Sequence, residues 1–232
     1  MTVPPPARRS AAALAAAIAL ILSPSAAQAR NIHGHAGHQH LVGGAKSDKI
    51  SAGPGKDSVE GQAGSDRLNG GGGNDTVLGG DGNDRVMGGA GNDAADGGVG
   101  DDDVIGISGD DALAGGDGDD HVSGGPGNDA VSGGGGNDEM DGGDGNDVID
   151  SGDGDDTITG DAGDDVIYPG NGADHVYGEE GAGNHVIVTD DGVHDDIWCV
   201  RGEMIGSTDG LVTYLGGVDR LDTLHGCRVE VR

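Results

Sequence analysis

The sequence predicts an all-β fold: a parallel β-helix solenoid of stacked nonapeptide repeats with a small C-terminal cap. Three observations predict it. A nine-residue pattern runs without a gap from residue 43 to residue 177. Each repeat offers one aliphatic side chain, and with 52 Gly, one Trp and no Phe in 232 residues the chain cannot build a thick globular core. The formal charge of −30 comes largely from Asp residues that recur in strict phase. Such a composition would otherwise describe a disordered chain, but composition alone does not hold three positions in register over 15 × 9 = 135 residues.

The elements follow in chain order. Arg8 and Arg9 precede an apolar run over 11–22, and Ala27-Gln28-Ala29 then forms a small-residue cleavage site before Arg30. This arrangement reads as an export signal over 1–29. A run of 12 residues is too short to span the hydrocarbon of a bilayer. The Arg pair lacks the rest of a twin-arginine pattern, and the export route stays open. A mature chain cut there would begin with a His-rich segment over 30–42, carrying His33, His35, His38 and His40. It is expected to be a flexible polar tail; four imidazoles so close could alternatively bind copper, nickel or zinc.

From residue 43 the chain divides into 15 units. The sixth position is Asp in every one: Asp48, Asp57, Asp66, Asp75, Asp84, Asp93, Asp102, Asp111, Asp120, Asp129, Asp138, Asp147, Asp156, Asp165 and Asp174. The fourth is Gly except at Lys46, and the eighth is always apolar, from Ile50 and Val59 to Ile167 and Val176. Positions one to six read as a turn, because Gly supplies positive φ and brings carbonyls close. Positions seven to nine read as a short strand with one side chain facing in. Two turns and two strands, 18 residues, close one flattened coil, and stacked coils give two parallel sheets with a thin aliphatic seam between them.

Stacking at that interval sets Asp75 over Asp93 and Asp84 over Asp102. Bare carboxylates so placed repel one another. Residues 43–177 hold 31 Asp and Glu against 5 Lys and Arg, a net of 5 − 31 = −26, and no Lys or Arg occurs over 87–200. A hard divalent cation between carboxylates reverses the sign. Calcium accepts about six to eight oxygen ligands in flexible geometry, which suits carboxylates among Gly-rich carbonyls. Magnesium prefers a tight octahedron with its own waters, and zinc prefers nitrogen and sulfur. The metal-ligand candidates are the sixth-position carboxylates from Asp57 to Asp174.

The units match Gly-Gly-x-Gly-x-Asp-x-aliphatic-x and resemble the RTX (repeats-in-toxin) nonapeptide family of calcium-binding parallel β-rolls over 43–177. The resemblance implies calcium held between stacked loops by carbonyls and the sixth-position Asp. It also implies a chain that is disordered without calcium and folds once exported into it. Columns of eight and seven turns allow at most 7 + 6 = 13 ions. Departures lower that expectation: Lys46 at position four, Gln62, Ile107 and Asp161 at position two, and Pro169 at position one. The consensus is cleanest over 70–95 and 115–150.

Beyond residue 177 the period slips. A unit over 180–188 places His185 at the Asp position, and 190–198 forms a further degenerate unit. Residues 211–215 and 227–231 read as strands. The segment 178–232 is therefore expected to cap the solenoid, with Trp198 on the last coil and a Cys199–Cys227 disulfide pinning it. The acidic balance argues against nucleic acid and anionic membranes as partners. No HExxH, GxSxG or Walker loop occurs, and His121 and His175, at position seven, should face outward. The chain reads as a secreted, non-catalytic, calcium-dependent structural or interaction module. An adhesin-like component that binds a cell-surface or polysaccharide partner through its acidic roll is the alternative, and a small hydrolase or polysaccharide-modifying enzyme would need a cleft.

Overall fold

The computed structural model describes residues 29–178, 185–189, 194–198, 211–215, 223–225 and 228–231. Among them there is no helix. Twenty-two strands form two parallel sheets of eleven. Odd-numbered strands build one sheet and even-numbered strands the other, so the chain changes sheet at every repeat and meets itself 18 residues on. In the first sheet β5 (Arg67–Gly72) pairs with β7 (Arg85–Ala90), setting Leu68 opposite Val86. In the second, β6 (Thr76–Asp81) pairs with β8 (Ala94–Val99), setting Val77 opposite Ala95. The predicted coil of two repeats is therefore present.

The strands are longer than the sequence pattern implied. Each regular strand has six residues: positions seven to nine of one unit and one to three of the next. The turn shrinks to positions four to six. Glycine is a poor strand former, which is why its run read as turn. Here pairing with identical backbone above and below overrides that preference. Two residues per strand then face inward. In β7 these are Val86, fully buried in the seam, and Gly88. The seam itself is one row of fully or nearly fully buried side chains, from Ile50 through Leu68, Met140 and Ile149 to Val212. The outward position-seven residues His121 and His175 are exposed, as expected.

Position two requires positive φ, for example 110° at Gly71 and 123° at Gly89. The three repeats that lack glycine there supply the only positive-φ non-glycine residues among those described: Gln62 at 83°, Ile107 at 91° and Asp161 at 60°. The solenoid register holds these residues in a conformation that L side chains disfavour.

The ends depart from expectation. Instead of a flexible tail, 30–42 winds into the roll. β1 (Asn31–His33) pairs with β3 (Lys49–Pro54), and β2 (His40–Gly44) pairs with β4 (Ser58–Ala63). The reason is apolar phase: Ile32 and Leu41 stack on Ile50 and Val59, so 34–42 is a degenerate nonamer. At the other end no separate cap fold replaces the roll. β18 (His185–Thr189), β20 (Leu211–Leu215) and β22 (Arg228–Val231) extend the second sheet, while β19 (Asp196–Trp198) and β21 (Thr223–His225) extend the first. Val186, Ile197 and Val212 continue the seam. His185 pairs with Val166 at position seven, so it does not take the Asp place. Trp198 lies on the outer face, its ring stacked on His225 at 3.6 Å. The export signal, apart from Ala29, lies outside the described residues, as do Cys199 and Cys227 and hence the expected disulfide.

Replacing a β-branched residue at positive φ by glycine relieves backbone strain. Ile107 is also 43% exposed, so little packing is lost. Ile107→Gly is expected to stabilise the calcium-loaded protein by about 1 kcal/mol, and Gly89→Ile, in the same column, to destabilise it by more than that. Thermal denaturation checks both; an unchanged or lower melting temperature for Ile107→Gly would count against the strained register.

Candidate metal centre

The sixth position follows the turn, where the chain re-enters a strand. The backbone there aims the Asp side chain into the roll, toward the position-one residue of its own unit. All fourteen predicted ligands, and Asp48 with them, are buried with no more than 4% exposure. They form two columns. One runs Asp48, Asp66, Asp84, Asp102, Asp120, Asp138, Asp156, Asp174; the other runs Asp57, Asp75, Asp93, Asp111, Asp129, Asp147, Asp165. Within a column each Oδ1 accepts the backbone N–H of the Asp 18 residues before it. Asp57 donates to Asp75 at 2.7 Å, Asp84 to Asp102 at 2.7 Å and Asp156 to Asp174 at 2.9 Å. The fold adds Asp195, 3% exposed, whose Oδ1 accepts the Asp174 N–H at 3.2 Å. Its signal was the Asp195-Asp196-Ile197 phase in the degenerate unit over 190–198.

The second carboxylate oxygen is the informative one. Oδ2 of Asp57, Asp66, Asp75, Asp84, Asp93, Asp102, Asp111, Asp120, Asp129, Asp138 and Asp147 is buried without a hydrogen-bond partner. A buried, unsatisfied anionic oxygen is strongly unfavourable, and a repeated column of them calls for a cation. The surroundings supply further oxygen. A Cβ built on Gly70 would lie 2.6 Å from Asp75 Oδ2 and 2.6 Å from the carbonyl oxygen of Gly88 in the next coil. Glycine at position one thus keeps clear a space into which a carboxylate and a carbonyl from adjacent coils both point. Among the described residues, no group of three or more His, Cys, Asp or Glu side chains gathers as a metal site. The available donor set is one carboxylate supplemented by carbonyls, which fits calcium. His33, His35, His38 and His40 do not converge: His38 Nδ1 lies 2.9 Å from the Lys56 carbonyl oxygen, and His40 Nδ1 lies 3.1 Å from Ser58 Oγ.

Electrostatics agree with the geometry. Burial, the largest cause, pushes Asp66, Asp102, Asp138 and Asp165 up to about 7 and Asp93, Asp111 and Asp147 up to about 6. Neighbouring carboxylates add to the rise, and the backbone N–H at Oδ1 opposes it. Asp75, Asp84, Asp120, Asp129 and Asp156 are raised for the same first reason.

Comparison with known protein families finds the RTX calcium-binding nonapeptide repeat (4 copies) along 33–68, 60–95, 69–104, 78–113, 105–140, 141–176 and 150–184. Together these matches cover 33–184, more than half of the chain. The chain belongs to the RTX calcium-binding nonapeptide repeat family. The family match begins within the His-rich segment, where the structure also begins the RTX roll. No curated protein matches the chain. Bound calcium supplies positive charge between the stacked carboxylates. The RTX repeats themselves contribute the carboxylates, orient them through the Oδ1 hydrogen bonds, and hold carbonyls nearby on a glycine backbone.

These shifts fix the sign of the pH dependence. The Asp groups have folded values above their unfolded value of 3.8. Without metal, the stability they contribute is full at low pH and is lost as pH rises through about 6–7. Circular dichroism in calcium-free buffer should therefore show more β-structure at about pH 5 than at about pH 8. Calcium binding needs the deprotonated carboxylates and has the opposite trend: the calcium midpoint should rise as pH falls from about 8 to about 6. A midpoint independent of pH would contradict the assignment of the columns.

Proposed function

We propose that this calcium-binding repeat protein is exported, is cut before Arg30, and folds into its roll when it meets extracellular calcium. It then serves as a non-catalytic, calcium-dependent structural or interaction module. The observation that carries this reading is the pair of buried carboxylate columns, whose Oδ2 atoms lack partners through most of their length. A net of −26 over 43–177 favours an expanded chain wherever calcium is scarce, a state suited to passage across a membrane. The position of the roll supports the cleavage point: its first strand starts at Asn31, so removal of 1–29 leaves every described strand intact. Asp195 adds one gap to the longer column and raises the ceiling on ion number from 13 to 8 + 6 = 14.

Titration of the mature chain with calcium should raise β-structure cooperatively, with a midpoint of about 10⁻⁴–10⁻³ M. Asp102→Asn, in a buried column, should raise that midpoint about tenfold, whereas Asp101→Asn, at an exposed position five, should leave it within error. A dichroism spectrum unchanged between chelator and millimolar calcium would sink the proposal. Equal effects of the two substitutions would move the binding away from the buried columns.

A further inference from the structure

Among the described sixth positions only two are not Asp, and both lie in the first coil. Gln39 stands below Asp57 in one column and Arg30 below Asp48 in the other. Each keeps the column's backbone bond: the Gln39 N–H donates to Asp57 Oδ1 at 2.7 Å, and the Arg30 N–H donates to Asp48 Oδ1. Their side chains do something the Asp residues cannot. Gln39 Nε2 donates to the carbonyl oxygens of His35, of Gly37 at 3.0 Å and of Ala52 at 3.4 Å, while its Oε1 accepts the His35 N–H at 3.1 Å. His35 and Gly37 occupy positions two and four of its own loop, and Ala52 occupies position one of the next loop in the column. Three carbonyls from two adjacent loops therefore converge on one nitrogen that bears partial positive charge. In the other column a guanidinium nitrogen of Arg30 donates to the Gly43 carbonyl at 3.0 Å. Gly43 is again position one of the next loop.

We infer that the first coil carries its own substitutes for the cation, the Gln39 amide in one column and the Arg30 guanidinium in the other. Calcium sites then begin only at the second coil. The inference rests on the calcium reading above and adds to it. In each higher gap an anionic oxygen and carbonyls face one another and need a positive charge between them. In the first gap the carboxylate is missing and an N–H donor fills the space among the carbonyls. Every hydrogen-bond requirement of the gap is then met by protein atoms. The first coil can form on its neighbour without metal, so its edge presents no incomplete cage at the end of the solenoid and gives the calcium-loaded coils a template on which to wind.

The test is calcium counting on the mature chain, wild type against Gln39→Asp, by native mass spectrometry. It is joined to a calcium anomalous map of wild-type crystals grown in calcium. Restoring Asp should add one calcium per chain, and the wild-type map should show calcium between later loops with none at the convergence of the His35, Gly37 and Ala52 carbonyls. An unchanged count in folded Gln39→Asp overturns the inference. If that variant fails to fold, the wild-type map decides: a calcium peak in the first gap beside peaks in later gaps overturns this inference alone. Calcium absent from every gap overturns the calcium reading and this inference with it.

Discussion

Carboxylates stacked every 18 residues inside a protein are the constraint to which the other features answer. A backbone N–H satisfies one oxygen of each, and for most of the column the other is buried and faces backbone carbonyls. Burial and like charge both push the Asp groups toward protonation. The arrangement is tolerable at neutral pH only if positive charge enters between the coils. Folding and cation binding are then one equilibrium, because the cage does not exist in the unfolded chain.

The glycine content is the geometric counterpart of that electrostatic demand. Position one must admit the carboxylate of its own unit and the carbonyl of the next coil, as at Gly70. Position two must take positive φ, as at Gly71. With both positions committed to backbone geometry, one aliphatic side chain per repeat remains for the seam, and Ala95 shows that even this can shrink to a methyl group while staying buried. The apolar row sets register, and the acidic columns set the condition under which that register is stable.

Much of this was legible because the requirements act at fixed positions. Asp at six and an aliphatic residue at eight give the 18-residue coil, the inward carboxylates and the pairing of Leu68 with Val86 directly. Gln62, Ile107 and Asp161 stood out as exceptions, and each sits where positive φ is forced. What escaped the pattern depended on contacts between coils. Glycines at positions one to three become strand only because identical backbone lies above and below them. The His-rich segment joined the roll because Ile32 and Leu41 fall on the apolar rows, a phase hidden by the missing Asp. His185 shifted by one position because the insertion over 179–184 is decided by pairing with β16 (Val166–Tyr168), which no local spacing encodes. Arg30 and Gln39 gave no signal at all until the carbonyls they serve were assembled.

Small-angle scattering of the mature chain over 30–232 (232 − 29 = 203 residues), with and without calcium, addresses the central claim most directly. Without metal, repulsion between the carboxylates should leave a radius of gyration near the ~48 Å of an unfolded chain of this length; millimolar calcium should bring it to about half of that or less. A chain that is equally compact in chelator and in calcium at neutral pH would show that the stacked carboxylates need no cation, and would contradict the account.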